Sequence, residues 1–339
     1  MGSQAFSKLQ WGLESVRGTA VAADTMLLAA PMPITPDRTA QFPQDMAGVK
    51  ARSAQGPQIY EYLVRNTLSF DNDHPPYFQV LPMLFSCGLK GNVTPVEQNP
   101  AEGDYLWTFT PSLTAANSPD TITLEAGDDI QAYEAEYCMF DRFRIAGEVA
   151  QDGIGSPVNI DADFFGRQWT TTTFTGALSL PTTELMAAKV TSFYLDTSWA
   201  GVGGTQKTGL LRSYDIEILT GLKMIFAGDA NKYFNNYAEE YIDVMGSFVF
   251  EGNAAADAIY DSFQATDLQV LRLQIEGSQI GAGDNHSCIL DISGAWIDVT
   301  PMGQEDRGNN LHTATFQGYY DNTGAKLLQL TTTTDVASI

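Results

Sequence analysis

The segment from residue 237 to residue 277 constrains the fold most, because its composition changes from strand to helix and back to strand. Residues 237–251 mix β-branched and aromatic side chains with charges, which predicts a strand with one solvated face. Gly252 and Asn253 predict a break and a helix N-cap, and residues 254–263 predict a short helix. Residues 268–276 alternate as a second strand does. A strand pair with one small helix indicates an antiparallel α+β sandwich, because a parallel α/β unit needs a longer crossover helix.

Similar strand patterns recur along the chain. The alternation slips once, at Leu271, which predicts a bulge or a change of face. Residues 75–88 predict a second helix, opened by prolines, ended by Gly88, and kinked or divided at Pro82. Residues 212–219 are predicted to pair with residues 221–227. The other predicted strands are 59–70, 105–111, 121–126, 131–139, 142–148, 158–165, 190–196, 287–299, 314–320 and 327–330. The sequence thus predicts a mainly β fold, an antiparallel sandwich or barrel with two short helices.

A weak internal duplication divides the predicted fold. A strand, a helix and further strands follow one another near residues 59–126 and again near 237–297. This predicts two halves, residues 1–168 and 169–339, each of ordinary domain size. The first half contains residues 30–57, which carry five prolines and no periodicity, and which predict a long loop or arm.

Acidic residues dominate the charge. The chain has 41 Asp and Glu against 18 Lys and Arg, a net charge of −23. Such a surface repels phosphates, so conventional DNA binding is not expected. Three pairs of acids flank a single residue, so each pair points to one side of its strand. These pairs form either one functional acidic surface or an ordinary solvated face, and their members are Glu134, Glu136, Asp161, Asp163, Asp215 and Glu217.

Motifs for catalysis or ligand binding are weak. His286 and Cys288 lie two apart but have no second pair for zinc, and residues 71–74 lack the downstream glutamate of a calcium loop. Residues 201–204 lack the lysine of a phosphate-binding loop. Three cysteines without a CxxC motif predict buried free thiols and a reducing cytoplasm. We therefore expect no enzyme activity, no catalytic residues, no cofactor and no metal, and no apolar segment long enough for membrane insertion.

The order of several motifs resembles the tail tube proteins of long-tailed bacteriophages. Residues 11–23, WGLESVRGTAVAA, are similar to the family's N-terminal signature, a glutamate followed by a Gly-Thr-Ala turn. Residues 69–72 with the helix at 77–88 resemble its strand-and-helix step, and residues 143–167 resemble its central strand pair. Residues 292–298 and, further on, residues 315–321 are similar to its last two strands. The likeness covers most of the chain; residues 30–57 depart from the family pattern.

The resemblance implies a structural virion protein. Members of the family form hexameric rings that stack into a hollow tube, with strands of each subunit joining a continuous inner barrel. The subunit is then made in the host bacterial cytoplasm and resides in the virion tail, beside tape measure, tail terminator and distal tail proteins. Genome DNA passes through during ejection without specific binding, and the candidate acids line the lumen. Residues 30–57 become a candidate inter-ring arm, with Pro31, Pro33, Pro36, Arg38, Pro43, Asp45, Lys50 and Arg52 as its candidate contacts.

Two other functions fit the same sequence. One is a different virion ring protein, such as a tail terminator, tail tip or decoration protein, whose rings do not polymerise. The other is a carbohydrate-binding or carbohydrate-hydrolysing β-sandwich, a monomer with an exposed aromatic platform. Tryptophans 107, 169, 199 and 296 have no common spacing, which favours core packing over such a platform.

Overall fold

The computed structural model describes residues 4–32, 36–41, 58–149, 156–228, 230–306 and 308–339. Its α-helices are α1 (Leu81–Gly88) and α2 (Ala254–Ala265). Its strands, in chain order, are β1 (Lys8–Leu13), β2 (Thr25–Met26), β3 (Pro36–Gln41), β4 (Gln58–Phe70), β5 (Val96–Asn99), β6 (Asp104–Phe109), β7 (Ile122–Gly127), β8 (Ala132–Glu148), β9 (Asn159–Gly166), β10 (Trp169–Thr172), β11 (Thr191–Asp196), β12 (Leu211–Leu219), β13 (Leu222–Ile225), β14 (Asn236–Glu239), β15 (Asp243–Glu251), β16 (Gln269–Gln279), β17 (Asn285–Asp306), β18 (Asn309–Gly318) and β19 (Leu328–Thr334).

Two long strands join three antiparallel sheets. Sheet I has the order β3-β4-β9-β8-β12-β15-β18-β17. Sheet II has the order β11-β16-β17-β19-β6-β5, and sheet III the order β2-β1-β7-β8-β10. β8 belongs to sheets I and III, and β17 to sheets I and II. The mainly β, antiparallel sandwich is confirmed, and within the described residues no sheet closes into a barrel.

Helix α1 lies in the core beside sheet I. All of its residues are buried, and Phe85 contacts Phe109 of β6 and Phe143 of β8 with ring centroids 5.7 and 5.8 Å apart. A 3-10 turn, Phe78–Val80, precedes it, and Pro82 lies in its first turn, where a missing N–H breaks no helical hydrogen bond. A helix that ends at Gly88 and a division next to Pro82 are confirmed, whereas the predicted start at residue 75 is wrong, because residues 75–77 are not helical.

The 237–277 segment is confirmed in part. α2 forms as predicted, and the Asn253 side chain accepts hydrogen bonds from the Ala255 and Ala256 amides at 2.9 and 3.2 Å. The single strand over 237–251 is wrong, because β14 and β15 are separate strands in different sheets. The bulge at Leu271 is also wrong: the register with β17 runs without a shift from Gln269 to Glu276. Both Val270 and Leu271 are buried, which explains the interrupted pattern.

The predicted pairing of residues 212–219 with 221–227 is wrong. β12 is hydrogen-bonded to β8 on one side and to β15 on the other, so no edge remains for β13. Gly221 has a φ of +77°, which turns the chain away, and β13 pairs with β14 instead. Likewise, the two strands predicted at 131–139 and 142–148 are one strand, β8, with an irregularity between Phe140 and Arg142.

The proline-rich segment is not a loop throughout. Residues 36–41, including Pro36 and Arg38, form β3, which pairs with β4. Pro31 precedes this strand, whereas Pro33, Pro43, Asp45, Lys50 and Arg52 lie outside the described residues. Strands from both predicted halves are hydrogen-bonded together, as in the pair β8–β12, and the division at 168/169 stays a prediction. The three cysteines are free and buried, and no described helix is long and apolar enough to span a membrane.

Candidate functional surface

The most distinctive polar surface is the face of sheet I turned away from α1. Along this face β9 presents Asp161 and Asp163, β8 presents Arg142 and Arg144, and β12 presents Asp215 and Glu217. The register sets Arg142 opposite Asp163, and Arg144 opposite both Asp161 and Glu217. We call these six residues the carboxylate–arginine ladder. Their side chains are 27 to 43% exposed, so the ladder is accessible to solvent and to a ligand.

Each arginine of the ladder bridges two strands. Arg142 Nη1 lies 3.0 Å from Asp163 Oδ2, and its Nε donates to Glu217 Oε1. Arg144 forms a bidentate pair with Asp215, with Nε–Oδ1 and Nη2–Oδ2 distances of 2.9 and 2.7 Å, and lies 3.6 Å from Asp161. Hydrogen bonds to Glu217 raise the pKa of Arg142, and those to Asp215 raise the pKa of Arg144. The ladder thus holds both guanidinium groups charged and retains an excess of two negative charges.

Hydroxyl groups extend the ladder to the neighbouring strand. On β4, Thr67 Oγ1 donates to Asp163 Oδ1 and Ser69 Oγ to Asp161 Oδ1, both at 2.6 Å. On the other side, β15 and β18 place Ser247 and Thr315 in register with Asp215. The result is a wide polar face of carboxylates, guanidinium groups and hydroxyls. At one end the β13–β14 hairpin covers it through a small apolar cluster of Tyr137, Met139, Phe165, Leu222 and Phe234.

The sequence identified four of the ladder's six members. Asp161, Asp163, Asp215 and Glu217 come together, whereas Glu134 and Glu136 lie in sheet III. Glu136 lies 3.3 Å from Arg167, and burial, with the charges of Glu125 and Glu136, raises the pKa of Glu134. The arginines were missed as site residues, although Arg142 and Arg144 show the same alternation as the acids.

Two other acids are buried and serve the architecture. Glu14, in the glutamate-Gly-Thr-Ala motif, accepts hydrogen bonds from Gly18 N, Thr121 Oγ1, Thr123 Oγ1 and Tyr137 N at 2.7 to 3.0 Å. Glu125 accepts hydrogen bonds from Gln10 Nε2 of β1 and from Thr175 Oγ1. These contacts tie the turn after β1 to β7 and β8. The N-terminal motif therefore has a structural role in this chain.

Asp141 lies at the margin of the ladder face, where the β8 register is irregular. It lines a cleft of about 450 Å³ with Arg65, Lys223 and Phe165. Burial raises the pKa of Asp141 to about 6, against the opposing effect of Arg65. The Asp141 carboxyl group therefore titrates closer to neutral pH than an ordinary aspartate.

The weak ligand motifs have other partners in the structure. His286 Nδ1 lies 2.9 Å from Ser278 O, and its Nε2 lies 3.7 Å from Asp335. Burial opposes its protonation, but the nearby Asp335 carboxylate and the hydrogen bond to Ser278 O prevail and raise the pKa of His286. Asp71 caps the 71–74 turn by accepting from the Asp73 and His74 amides. Among the described residues, no group of three His, Cys, Asp or Glu side chains is arranged to hold a metal ion.

Tryptophan placement bears on the aromatic platform. Trp107, Trp169 and Trp296 are buried, which agrees with core packing. Trp199 is half-buried, with Lys326 Nζ 5.3 Å from its ring centroid.

No protein-family model matches the chain, and no curated protein matches it.

Proposed function

We propose that this chain is the subunit of the hollow tail tube of a long-tailed bacteriophage, with sheet I facing the channel. The observation that carries the proposal is the sheet's construction: one face packs on the core, the other is open and polar, and both edges lack a partner strand in the described chain. A wide sheet with open edges is a template for pairing with other copies. Closing such sheets around a ring gives a barrel lined by the ladder face.

The two edges of sheet I differ, which favours a ring. One edge is β3, which pairs only with β4 in the described residues. The other consists of residues 295–306 of β17, which pair only with β18 in the described chain. Joining unlike edges is a heterologous contact, which closes into rings when the rotation permits and stacks into an open tube along the axis. The six subunits follow from the family resemblance.

The charge pattern of the ladder suits a channel for DNA. The excess carboxylates repel phosphates, and the guanidiniums are already held by two carboxylates each. A phosphate would have to displace these partners to bind an arginine. Such a wall lets a polyanion slide and gives it no strong binding site.

Electron microscopy of purified protein tests the proposal. We expect rings or tubes with a central hole, and a sedimentation coefficient that rises with concentration. The variant Met302→Lys places a charge on the open β17 edge, where the side chain is 69% exposed, and should block ring formation. Leu268→Lys changes a 59% exposed side chain outside the strands and serves as the matched control. A wild-type chain that remains a monomer at every concentration would contradict the proposal, and rings that never stack would favour a terminator or tip protein.

A further inference from the structure

Residues 335–339 follow β19 and lie over a cavity of about 450 Å³ that is also lined by Trp11 of β1 and by Val80. We call these five residues the 335–339 strap. Side chains take part in each of its hydrogen bonds within the described chain. Gln79 Nε2 donates to Asp335 Oδ1 and Trp107 Nε1 to Val336 O, both at 2.9 Å, and Val336 N donates to Thr334 Oγ1 at 2.8 Å. A segment held by so few bonds opens more easily than a strand does.

His286 of β17 lies beside the strap and is 7% exposed. Its Nδ1 lies 2.9 Å from Ser278 O. A carbonyl oxygen only accepts hydrogen bonds, so Nδ1 carries a proton whether the ring is neutral or charged. The second proton is therefore gained and lost at Nε2, which lies 3.7 Å from Asp335 Oδ1. The titrating atom faces the strap.

Gln79 determines what each charge state of His286 does to the strap. Its Oε1 accepts from Glu184 N at 3.0 Å, which turns its amide nitrogen toward Asp335 and His286. In the neutral ring, Nε2 accepts a hydrogen bond from Gln79 Nε2, 3.3 Å away. In the protonated ring, Nε2 becomes a donor and faces the Asp335 carboxylate. Protonation thus adds a charge-assisted attraction to the strap, and its loss leaves Asp335 with Gln79.

The charged groups that act on His286 favour its protonation. They are Asp335 and Glu184, both acidic, whereas its contacts from β16 and from the turn before α1, namely Ser278, Gln79 and Phe78, are uncharged. Burial opposes the charge, but these acids and Ser278 O raise the pKa of His286 above 6.5, and the same contact lowers the pKa of Asp335. The attraction is therefore complete below pH 6.5 and is lost as the pH rises through the raised pKa.

We propose that His286 is a pH-sensitive latch for the 335–339 strap, which closes over the cavity when the imidazole is protonated and loosens when it is neutral. Loosening withdraws the half-buried Val336 and Ile339 from the core. It opens the cavity to solvent at Trp11 and Val80, which are 6 and 3% exposed in the closed form. The latch lies within one chain and does not depend on the proposed tail tube.

A nitroxide spin label on the strap of the full chain tests the latch. The three native cysteines are buried, so a label attaches at an introduced, exposed Ser338→Cys. We expect the mobile fraction in the electron paramagnetic resonance spectrum to rise about threefold from pH 5.5 to pH 8.5, as suits a partly exposed ion pair. A label at Gln264→Cys, an exposed position on α2, is the matched control and should give the same spectrum at both pH values.

Substitutions identify the titrating group. His286→Gln should abolish the pH dependence, and so should Asp335→Asn, which removes the charge at a 41% exposed position and keeps an acceptor for Gln79. Glu184→Gln should keep the transition and move its midpoint to lower pH, because one acid that favours the charged ring is removed. His74→Gln replaces a histidine that is 38% exposed and paired with Asp71, and it should leave the transition unchanged.

Three results would overturn the latch. They are a strap label with equal mobility at both pH values, a transition that persists in Asp335→Asn, and a transition that the α2 label shares, which would indicate a change of the whole fold. If His286→Gln does not fold, Asp335→Asn and Glu184→Gln decide the question. Loss of the transition in Asp335→Asn and its retention in His74→Gln would support the latch, whether or not the chain forms tubes.

Discussion

The carboxylates around sheet III and those on the open face of sheet I have different roles. Glu14 and Glu125 are 7 and 3% exposed, and protein donors surround them. The ladder acids are 27 to 43% exposed and share two arginines. A buried acceptor is costly to remove because its donors lose their partner in a dry place, whereas an exposed pair exchanges partners with water. The acids of sheet III therefore hold the fold, and those of sheet I set a surface charge.

The largest expected effect comes from Glu14→Ala. The substitution leaves the amides of Gly18 and Tyr137 and two threonine hydroxyls without their acceptor. We expect the free energy of unfolding to fall by about 3–5 kcal/mol. Chemical denaturation measures it, with Glu217→Ala, an exposed ladder acid, as the control at about 1 kcal/mol or less. If both variants lose the same free energy of unfolding, the buried and the ladder acids do not differ in their contribution to stability.

Asp141 is intermediate between the buried acids and the ladder acids. Replacing it is expected to increase the free energy of unfolding, whereas replacing Glu14 decreases it. Its pKa is raised from 3.8 to about 6 by burial, so its charge destabilises the fold above that pH and the protonated form does not. Stability should fall as pH rises from about 4 to about 6, and Asp141→Asn should remove this slope and add about 1–2 kcal/mol at pH 7. Unfolding curves at pH 4, 6 and 8 measure it. A wild-type slope that persists in the variant would contradict this assignment.

The smallest effect on stability is expected from Asp161→Asn with Asp163→Asn. Both acids are partly solvated, so the free energy of unfolding should change by about 1 kcal/mol or less and assembly should be retained. The arginines, however, lose one partner each and become available to phosphate. We expect slower DNA ejection from particles that carry the variant tube. Thr67→Val with Ser69→Ala removes the neighbouring hydroxyls without changing charge and should leave ejection normal. If DNA ejection is unchanged in the Asp161→Asn, Asp163→Asn variant, the ladder does not line the channel.

Local signals in the sequence predicted the helices well and the strand partners poorly. Asn253, Pro82 and Gly88 act within a few residues of themselves, so the helix boundaries they specify do not depend on the rest of the chain. The partners of β12 lie on β8 and β15, and only the assembled sheet selects them. For the same reason the sequence showed that Asp161 and Asp163 share a face but did not show that Arg142 and Arg144 lie between them and β12.

The sharing of β8 and β17 between sheets has a mechanical consequence. Each strand continues from one sheet into the next through unbroken covalent backbone. A force on the exposed edge of sheet I is therefore carried as tension into sheets II and III, and the layers are unable to slide past one another as separately packed sheets do. We therefore expect a chain built in this way to deform as one elastic body.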